Sequence, residues 1–219
     1  MKAKLTRSEE DHLKAVISLE EAGEQAFTNA LADRLQTRAS SVTSMVRKLA
    51  DKGLLSHKPY HGVTLTRKGR SLAVELVRRH RLWETFLVER LGFGWEEVHE
   101  VAEQLEHVSS EKLIRKLDAY LGHPSSDPHG EPIPGPDGAV KSASLRSLAS
   151  LRAGARARVA GVNDRSPEFL RFLTSHEIGL GASIRVIQRN EHDGSISIHA
   201  AGRTVLLGSS SAANILVSP

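Results

Sequence analysis

The chain changes its hydropathy period at one proline-rich stretch, and this change constrains the fold more than any other feature. Residues 122–142 hold five of the eight prolines, and proline is excluded from helix interiors and central strands. Before this stretch apolar residues recur at helical spacing. After it, short runs alternate apolar and polar residues at intervals of about ten residues, as strands of a small barrel or sandwich do. The sequence therefore predicts an α+β chain with a helical part, a linker and a C-terminal β-domain.

The first 70 residues predict a winged helix-turn-helix. Residues 8–23 form an amphipathic pattern, for which we expect Ser8 as N-cap with Asp11 three residues later, and residues 26–36 form a second, capped by Thr28. A third helical pattern covers residues 41–53. Residues 54–69 then alternate around "PYHG", which is typical of a β-hairpin. Two short helices joined by a turn and followed by a hairpin describe a winged helix-turn-helix.

Charge is distributed unevenly. Residues 27–70 carry nine Lys and Arg against two Asp and Glu, whereas residues 71–122 carry seven against ten. A basic segment beside an acidic one indicates an anion-binding surface next to a cation-binding one. The chain has no stretch of eighteen apolar residues and no signal-peptide core, so we expect a cytoplasmic protein that does not enter a membrane.

The third helix would be the recognition helix, whose N-terminal residues reach base edges in the major groove. Arg38 has the geometry to contact guanine, and the lysines and the wing would contact phosphates. The alternative interpretation is that these residues form an ordinary polar helix face that does not bind DNA. The candidate DNA contacts are Thr28, Arg38, Ser40, Ser41, Thr43, Ser44, Arg47, Lys48, Lys52, His57, Lys58, Tyr60 and His61.

The run "WEEVHEVAEQLEHV", residues 95–108, suggests a metal site. On a helix of about 3.6 residues per turn, His99, Glu103, Glu106 and His107 share one polar stripe. The opposite arc is apolar, so the segment is also a good amphipathic helix with an ordinary solvated face. These two interpretations stay open on the run alone.

Other donors accompany this run. His80 and Glu84 are four residues apart, the spacing at which two helical side chains hold one ion, and Asp11 lies in an acidic first helix. Taken separately, the pair His80 and Glu84 and the residue Asp11 could each be ordinary surface residues. Because the chain has no cysteine, any metal is held by nitrogen and oxygen, a set that suits Mn²⁺ or Fe²⁺.

The order of the motifs "EEDHLKAVISLEE", "SVTSMVRKL", "RRHRLWE", "VHEVAEQLEHV" and "DPHGEPIPG" resembles the diphtheria toxin repressor family of metal-dependent transcriptional regulators. The similarity spans nearly the whole chain. It implies a winged helix-turn-helix at residues 1–70, a helical dimerisation and metal-binding domain at 71–122, a Pro-rich linker at 123–149 and an SH3-like (FeoA-like) β-barrel at 150–219.

The resemblance implies a primary regulatory site formed by Asp11, Glu103, Glu106 and His107, with His80 in it or in a neighbouring ancillary site. Iron-responsive members carry Met and Cys where this chain has Asp11 and Glu103, whereas manganese regulators carry carboxylates. Oxygen donors favour the harder ion, so we expect Mn²⁺ before Fe²⁺. Lys14 occupies the place of a second acidic ligand of some manganese regulators, which argues against their two-metal cluster.

Two ligand sets are open for the ancillary site. One follows the iron repressors and uses His80, Glu84 and His99 with an acceptor from the SH3-like domain. The other follows relatives with a "CPHG" turn. That second set is Glu84, Asp127 and His129, with Asp164 or Glu168. Asp127 and His129 could equally be plain turn residues.

The expected function is a manganese-dependent repressor of metal-uptake genes that binds a palindromic operator on double-stranded DNA as a homodimer. Repulsion among Asp11, Glu103 and Glu106 would loosen the first helix until a cation orders it. The alternatives are an iron-dependent repressor of the same family, a metal-independent winged-helix regulator and a hydrolytic metalloenzyme. The chain lacks HExxH and a nucleophile elbow, so we expect no enzyme.

Overall fold

The computed structural model describes residues 5–58, 62–140 and 144–218. Two compact units make up the chain. The first unit comprises residues 1–80, 105–110 and 134–139, and the second comprises residues 81–104, 111–133 and 140–219. Each unit is described by itself below.

The structure is mixed helix and sheet, as the sequence predicts. The helices are α1 (Arg7–Glu21), α2 (Thr28–Arg34), α3 (Ala39–Asp51), α4 (Arg67–Leu91), α5 (Val98–Leu105), α6 (Glu111–Tyr120), α7 (Pro167–Ser175) and α8 (Ser209–Asn214). The strands are β1 (Leu55–Lys58), β2 (Gly62–Leu65), β3 (Arg146–Ser147), β4 (Arg156–Val162), β5 (Ser183–Arg189), β6 (Ile196–Ala200), β7 (Arg203–Leu207) and β8 (Ile215–Ser218).

The first unit contains the winged helix-turn-helix. Helices α1, α2 and α3 and the start of α4 bury one apolar face each, because their large apolar residues recur every three or four positions. The fully buried side chains of this core include Leu13, Ile17, Leu31, Leu49 and Leu76. Strands β1 and β2 form the antiparallel hairpin, with Leu55 opposite Leu65.

The helix caps differ in part from the expectation. Helix α1 is capped by Thr6, whose hydroxyl accepts from the Glu9 backbone N–H while the Glu9 carboxylate accepts from the Thr6 N–H. The prediction of Ser8 as cap was wrong, because the reciprocal Thr-x-x-Glu capping box forms two residues earlier. Thr28 is also not a cap, since α2 begins at that residue after Phe27.

The predicted helix over residues 95–108 is shorter in the structure. Helix α5 ends at Leu105, and the Val108 N–H donates to the Leu105 carbonyl in the turn that follows. Glu106 and His107 therefore leave the helix, and the single polar stripe expected for four residues is wrong. His99 and Glu103 belong to the second unit, whereas Glu106 and His107 belong to the first.

The second unit has two apolar cores. One is formed by the C-terminal half of α4 with α6 and includes Leu82, Leu117 and Ile133. The other lies beneath the C-terminal sheet and is the larger, with Leu148, Leu170 and Ile196 among its buried residues. Alternate residues of each strand enter this core, as the period of two in the sequence predicts.

The C-terminal strands form one sheet in the order β3-β8-β4-β5-β6-β7, with every neighbouring pair antiparallel. The alternating runs that follow the linker form β4 to β8, and helix α7 lies between β4 and β5. Within the described residues no pairing joins β3 to β7, so the sheet does not close into the predicted barrel.

None of the helices in the described part of the chain is long and apolar enough to span a membrane.

Candidate metal centres and nucleic-acid interface

The first candidate metal centre, called the primary site below, joins Asp11 of α1 to Glu106 and His107 of the turn after α5. One ligand atom from each residue lies within 4.8 Å of the others. His107 Nε2 is 3.1 Å from Asp11 Oδ1 and 4.0 Å from Glu106 Oε1. The site thus offers two carboxylates and an imidazole, a donor set that fits Mn²⁺ or Fe²⁺.

The imidazole of His107 is oriented by Glu10. The Nδ1 atom lies 2.6 Å from Glu10 Oε2, and Arg79 holds the same carboxylate through an ion pair of 3.5 Å. A carboxylate at one ring nitrogen favours the proton there and leaves the lone pair on the other. The Nε2 atom of His107 is therefore the one available to a metal ion.

Glu106 is buried, and its negative charge is paired with groups of the chain itself. Its Oε2 atom lies 2.6 Å from both the Lys14 Nζ and the His80 Nδ1. Burial by itself raises the pKa of the Glu106 carboxyl, but the hydrogen bond from His80 and the charge of Lys14 outweigh it and hold the pKa below the ordinary value. His80 and Lys14 thus relieve repulsion at Glu106 before any metal binds, and the loosened first helix expected from the sequence stays a prediction.

Glu103 lies in the second unit with His99. The Glu103 carboxylate is 3.4 Å from His99 Nε2, and about half of each side chain is exposed. The ligand group of Asp11, Glu106 and His107 does not include Glu103. Its assignment to the primary site stays a prediction.

The second candidate centre, called the second site below, consists of Glu84 of α4 with Asp127 and His129 of the "DPHG" turn. All three side chains are buried. Asp127 Oδ1 accepts from the backbone N–H groups of His129 and Glu131, which fixes the turn and directs Oδ2 inward. His129 Nδ1 lies 3.9 Å from Glu84 Oε2.

His129 is oriented by Trp95. Its Nε2 atom is 2.8 Å from the Trp95 carbonyl, and the two rings stack with an interplanar angle of 4°. The carbonyl only accepts, so the proton resides on Nε2 and the lone pair on Nδ1. Burial lowers the pKa of His129, which favours the neutral imidazole that a metal requires.

Two buried polar atoms of the second site make no hydrogen bond within the described residues, although Arg81 Nε lies 3.9 Å from Asp127 Oδ2. In residues 5–58, 62–140 and 144–218, Asp127 Oδ2 and His129 Nδ1 have no hydrogen-bond partner. Burial and the charge of Glu84 raise the pKa of Asp127 well above its usual value. Two carboxylates and a lone pair that converge in a buried space are the arrangement that a divalent cation stabilises, so the residues fit a metal ion.

Of the other predicted ancillary ligands, His99 lies beside its predicted partner Glu84, whereas Asp164 and Glu168 have other contacts. His99 Nδ1 lies 3.1 Å from Glu84 Oε1, and about half of the His99 side chain is exposed. Asp164 accepts from the Ser166 N–H, and Glu168 is exposed beside Arg171. Among the described residues, neither Asp164 nor Glu168 joins a group of three potential ligands.

Helix α3 presents the candidate nucleic-acid interface. Arg38, Ser40, Ser41, Ser44 and Arg47 are exposed on the side opposite the buried Val42, Val46 and Leu49. The Thr43 and Ser44 hydroxyls donate to carbonyls one turn earlier, so their oxygens remain acceptors at the surface. Thr28 is half-buried at the start of α2, and His57 is exposed on β1.

Some predicted contacts have other partners or cannot be located. Lys48 and Lys52 both reach the buried carboxylate of Glu9. Lys58 ends β1, and Tyr60 and His61 lie outside the described residues.

Sequence reasoning missed five residues that organise these centres. They are Glu9, Glu10, Lys14, Arg79 and Trp95. For Lys14, the residue was considered but its ion pair with Glu106 was not predicted. A signal for two of them exists, because "EED" places three consecutive acids near the start of α1, more than one helix N-terminus needs. Trp95 gave no signal, since it orients His129 through its backbone carbonyl.

The chain matches three family models in succession. Residues 4–63 match the N-terminal DNA-binding domain of the iron-dependent repressors, residues 66–135 their metal-binding and dimerisation domain, and residues 146–219 the FeoA domain. A winged helix-turn-helix followed by a metal-binding domain defines a metal-dependent transcriptional regulator. The chain belongs to the iron-dependent repressor family, which consists of DNA-binding repressors and not of enzymes.

Relatives extend this match. The iron-dependent repressor IdeR of Mycobacterium leprae is 36% identical over 157 residues, 68% of each chain. The diphtheria toxin repressor of Corynebacterium diphtheriae is 28% identical over 215 residues, 93% of each chain. A solved manganese-dependent transcriptional repressor in complex with manganese is 44% identical, covers 95% of this chain and 98% of its own, and has a TM-score of 0.82.

Proposed function

We propose that the chain is a manganese-responsive repressor in which Mn²⁺ at the primary site joins α1 to the turn after α5. The observation that carries this proposal is the convergence of Asp11, Glu106 and His107 within 4.8 Å. Asp11 lies on the helix that packs into the DNA-binding core, so an ion bound there restrains the position of the recognition helix. The ion acts by binding the DNA-competent state more tightly than the alternative.

The choice of manganese depends on the donor atoms. The described donors at both centres are carboxylate oxygens and imidazole nitrogens, and the chain contains no cysteine. Hard oxygen donors suit Mn²⁺, and they also accept Fe²⁺. An iron-dependent repressor is therefore the second candidate, favoured by the names of the relatives with which the chain aligns. Either metal, Mn²⁺ or Fe²⁺, would be held in the primary site by Asp11, Glu106 and His107. In the second site it would be held by Glu84, Asp127 and His129.

The DNA partner would be a palindromic operator bound by a homodimer. Exposed Arg38, Ser40, Ser41 and Arg47 at one face of α3 form a surface for base edges and phosphates. Two recognition helices related by a two-fold axis would match half-sites about one helical turn apart. The matched dimerisation domain supports this arrangement, and a repressor of this kind would act in the cytoplasm on metal-uptake genes.

Anaerobic titration of operator binding tests the proposal. DNA selected from a random pool with Mn²⁺ present serves as the operator, and affinity is measured at fixed salt with chelator, Mn²⁺ or Fe²⁺. We expect Mn²⁺ to strengthen binding at a lower free-ion concentration than Fe²⁺. An affinity equal in chelator and in Mn²⁺ would overturn the metal-responsive function, and activation by Fe²⁺ at the lower concentration would establish the iron alternative.

The role of Glu103 needs its own test. Glu103→Cys introduces a soft donor, so we expect the metal preference to shift from Mn²⁺ towards softer ions. Glu100→Cys is the matched control, because Glu100 is exposed on the same helix α5. If Glu103→Cys keeps the metal preference of the unsubstituted protein, Glu103 is not a ligand of the primary site.

A further inference from the structure

Three consecutive acids near the start of α1, Glu9, Glu10 and Asp11, contact different parts of the first unit. Glu10 and Asp11 both contact the imidazole of His107, at 2.6 Å and 3.1 Å. Glu9 contacts α3 instead. Adjacent residues of one helical turn thus connect the primary site to the recognition helix.

Glu9 is fully buried, and both oxygens of its carboxylate have polar partners. Its Oε1 atom lies 2.6 Å from the Lys52 Nζ and 3.0 Å from the Lys48 Nζ, and its Oε2 atom accepts from the Thr6 N–H at 3.0 Å. A buried carboxylate cannot exchange these partners for water, so separating Glu9 from the two lysines is costly. The C-terminal turn of α3 therefore follows the first turn of α1.

The start of helix α1 is fixed by local contacts, so a displacement of Asp11 would also displace Glu9. The capping box between Thr6 and Glu9 fixes the first turn, and Leu13, Val16 and Ile17 anchor the helix in the core. An ion that draws Asp11 towards Glu106 and His107 must move or restrain the turn that contains Glu9. The charge of Glu9 acts on Lys48, which lies on the helix that would read DNA, and on Lys52, which caps the C-terminus of that helix.

We propose that Glu9 is a positioning residue that couples metal occupancy of the primary site to the orientation of the recognition helix, through its ion pairs with Lys48 and Lys52. This inference rests on the proposed function, since it requires metal-responsive DNA binding. Glu9 itself is not a metal ligand in this scheme. Removing it weakens the connection between the two events while leaving the metal ligands in place.

The test measures coupling as the ratio of operator affinities with Mn²⁺ and with chelator. The variants are Glu9→Gln, Lys52→Met and their combination, which close a double-mutant cycle. Such a cycle is the direct evidence that a coupling route requires. Glu20→Gln is the matched control, because Glu20 also lies on α1 and pairs with Arg70 on α4. Mn²⁺ affinity without DNA is measured by calorimetry, and folding by thermal unfolding.

In Glu9→Gln we expect the coupling ratio to fall about tenfold, within the usual range of coupling between two sites. Mn²⁺ affinity in the absence of DNA should stay close to that of the unsubstituted protein, and Glu20→Gln should keep its coupling. Lys52→Met should lower the ratio less, since Lys48 remains, and adding it to Glu9→Gln should change little further.

Retention of the full coupling ratio in Glu9→Gln would overturn the inference. If that variant does not fold, the double substitution Lys48→Met with Lys52→Met decides, because both lysines are partly exposed: a reduced ratio supports the inference and an unchanged ratio overturns it. If operator binding by the unsubstituted protein does not respond to Mn²⁺, the proposed function itself is wrong. That outcome is distinct from failure of the inference about Glu9, which requires a metal response that Glu9→Gln leaves unchanged.

Discussion

The Lys14 ammonium donates to Glu106 Oε2 at 2.6 Å, while the other oxygen of the same carboxylate faces His107 at 4.0 Å. Glu106 thus divides its two oxygens between a cation supplied by the chain and the position where a divalent ion would bind. The hydrogen bond from His80 and the charge of Lys14 together keep this buried carboxylate ionised when no metal is present. The charge of Lys14 also opposes a divalent ion at the primary site.

Lys14→Met should therefore strengthen Mn²⁺ binding at the primary site and weaken the metal-free fold. The expected loss of stability in chelator is about 1–3 kcal/mol, because the buried carboxylate loses one of its hydrogen-bond donors. Calorimetric titration and urea unfolding measure the two effects. Lys112→Met, at an exposed position of α6, is the control. Weaker Mn²⁺ binding in Lys14→Met would show that the lysine assists the metal.

Asp127→Asn tests the second site with two opposite effects. The amide oxygen still accepts from the His129 and Glu131 N–H groups, but the variant removes a carboxylate that is forced close to Glu84. In chelator we expect equal or higher stability, whereas Mn²⁺ should raise the melting temperature less than it does in the unsubstituted protein. Bound manganese per chain is measured by elemental analysis.

Asp193→Asn is the control for the second site, because Asp193 makes a similar turn contact with the Ser195 N–H in an exposed loop. It should change neither stability nor manganese content. Full manganese content in Asp127→Asn would remove this residue from the ligand set.

Acid should weaken the metal-free protein through Glu9. Burial opposes ionisation of this carboxyl, but the hydrogen bonds from Lys52, Thr6 and Lys48 lower its pKa from 4.5 to about 2. A carboxyl whose pKa is lower in the folded state stabilises the fold above pH 4.5, and this contribution is lost as the pH falls towards about 2. Urea unfolding across this range should show a steeper loss for the unsubstituted protein than for Glu9→Gln. Parallel pH profiles would contradict the ion pair.

Gly69→Ala should destabilise the winged helix-turn-helix. A Cβ atom at Gly69 would lie 1.9 Å from the Leu54 carbonyl oxygen, so α4 and the hairpin would have to separate. We expect a loss of about 1–3 kcal/mol, as for other overpacked positions. Gly179→Ala is the control, because a Cβ atom there meets nothing within 4 Å. Thermal unfolding measures both, and equal melting temperatures would contradict the close packing.

Much of the fold follows from local patterns. The period of 3.6 in the first part and the period of two after residue 142 predicted the helices and the strands β4 to β8, since a side chain's face depends on its own position along an element. Sheet closure was predicted wrongly. Pairing between the first and last strands depends on how the whole sheet curves, which no single strand encodes.

The candidate sites also combine features that the sequence predicts with features that only the tertiary structure decides. Residue types and order were enough to indicate a metal-dependent regulator with nitrogen and oxygen ligands, because donor chemistry belongs to each side chain. Which donors meet is a tertiary property. The end of α5 at Leu105 separates Glu106 and His107 from the stripe of His99 and Glu103, and no helical periodicity marks that end.

The pairings of the charged residues are also tertiary. Glu9 lies against Lys48 and Lys52, and Glu106 against Lys14, through contacts between residues up to 92 positions apart. A charge exerts its effect through distance and burial, and both are set by packing rather than by neighbours in the chain. The sequence alone was sufficient for the class of protein and its donor atoms. Packing decided which carboxylates are held by the protein's own lysines and which carboxylates lie together with a histidine.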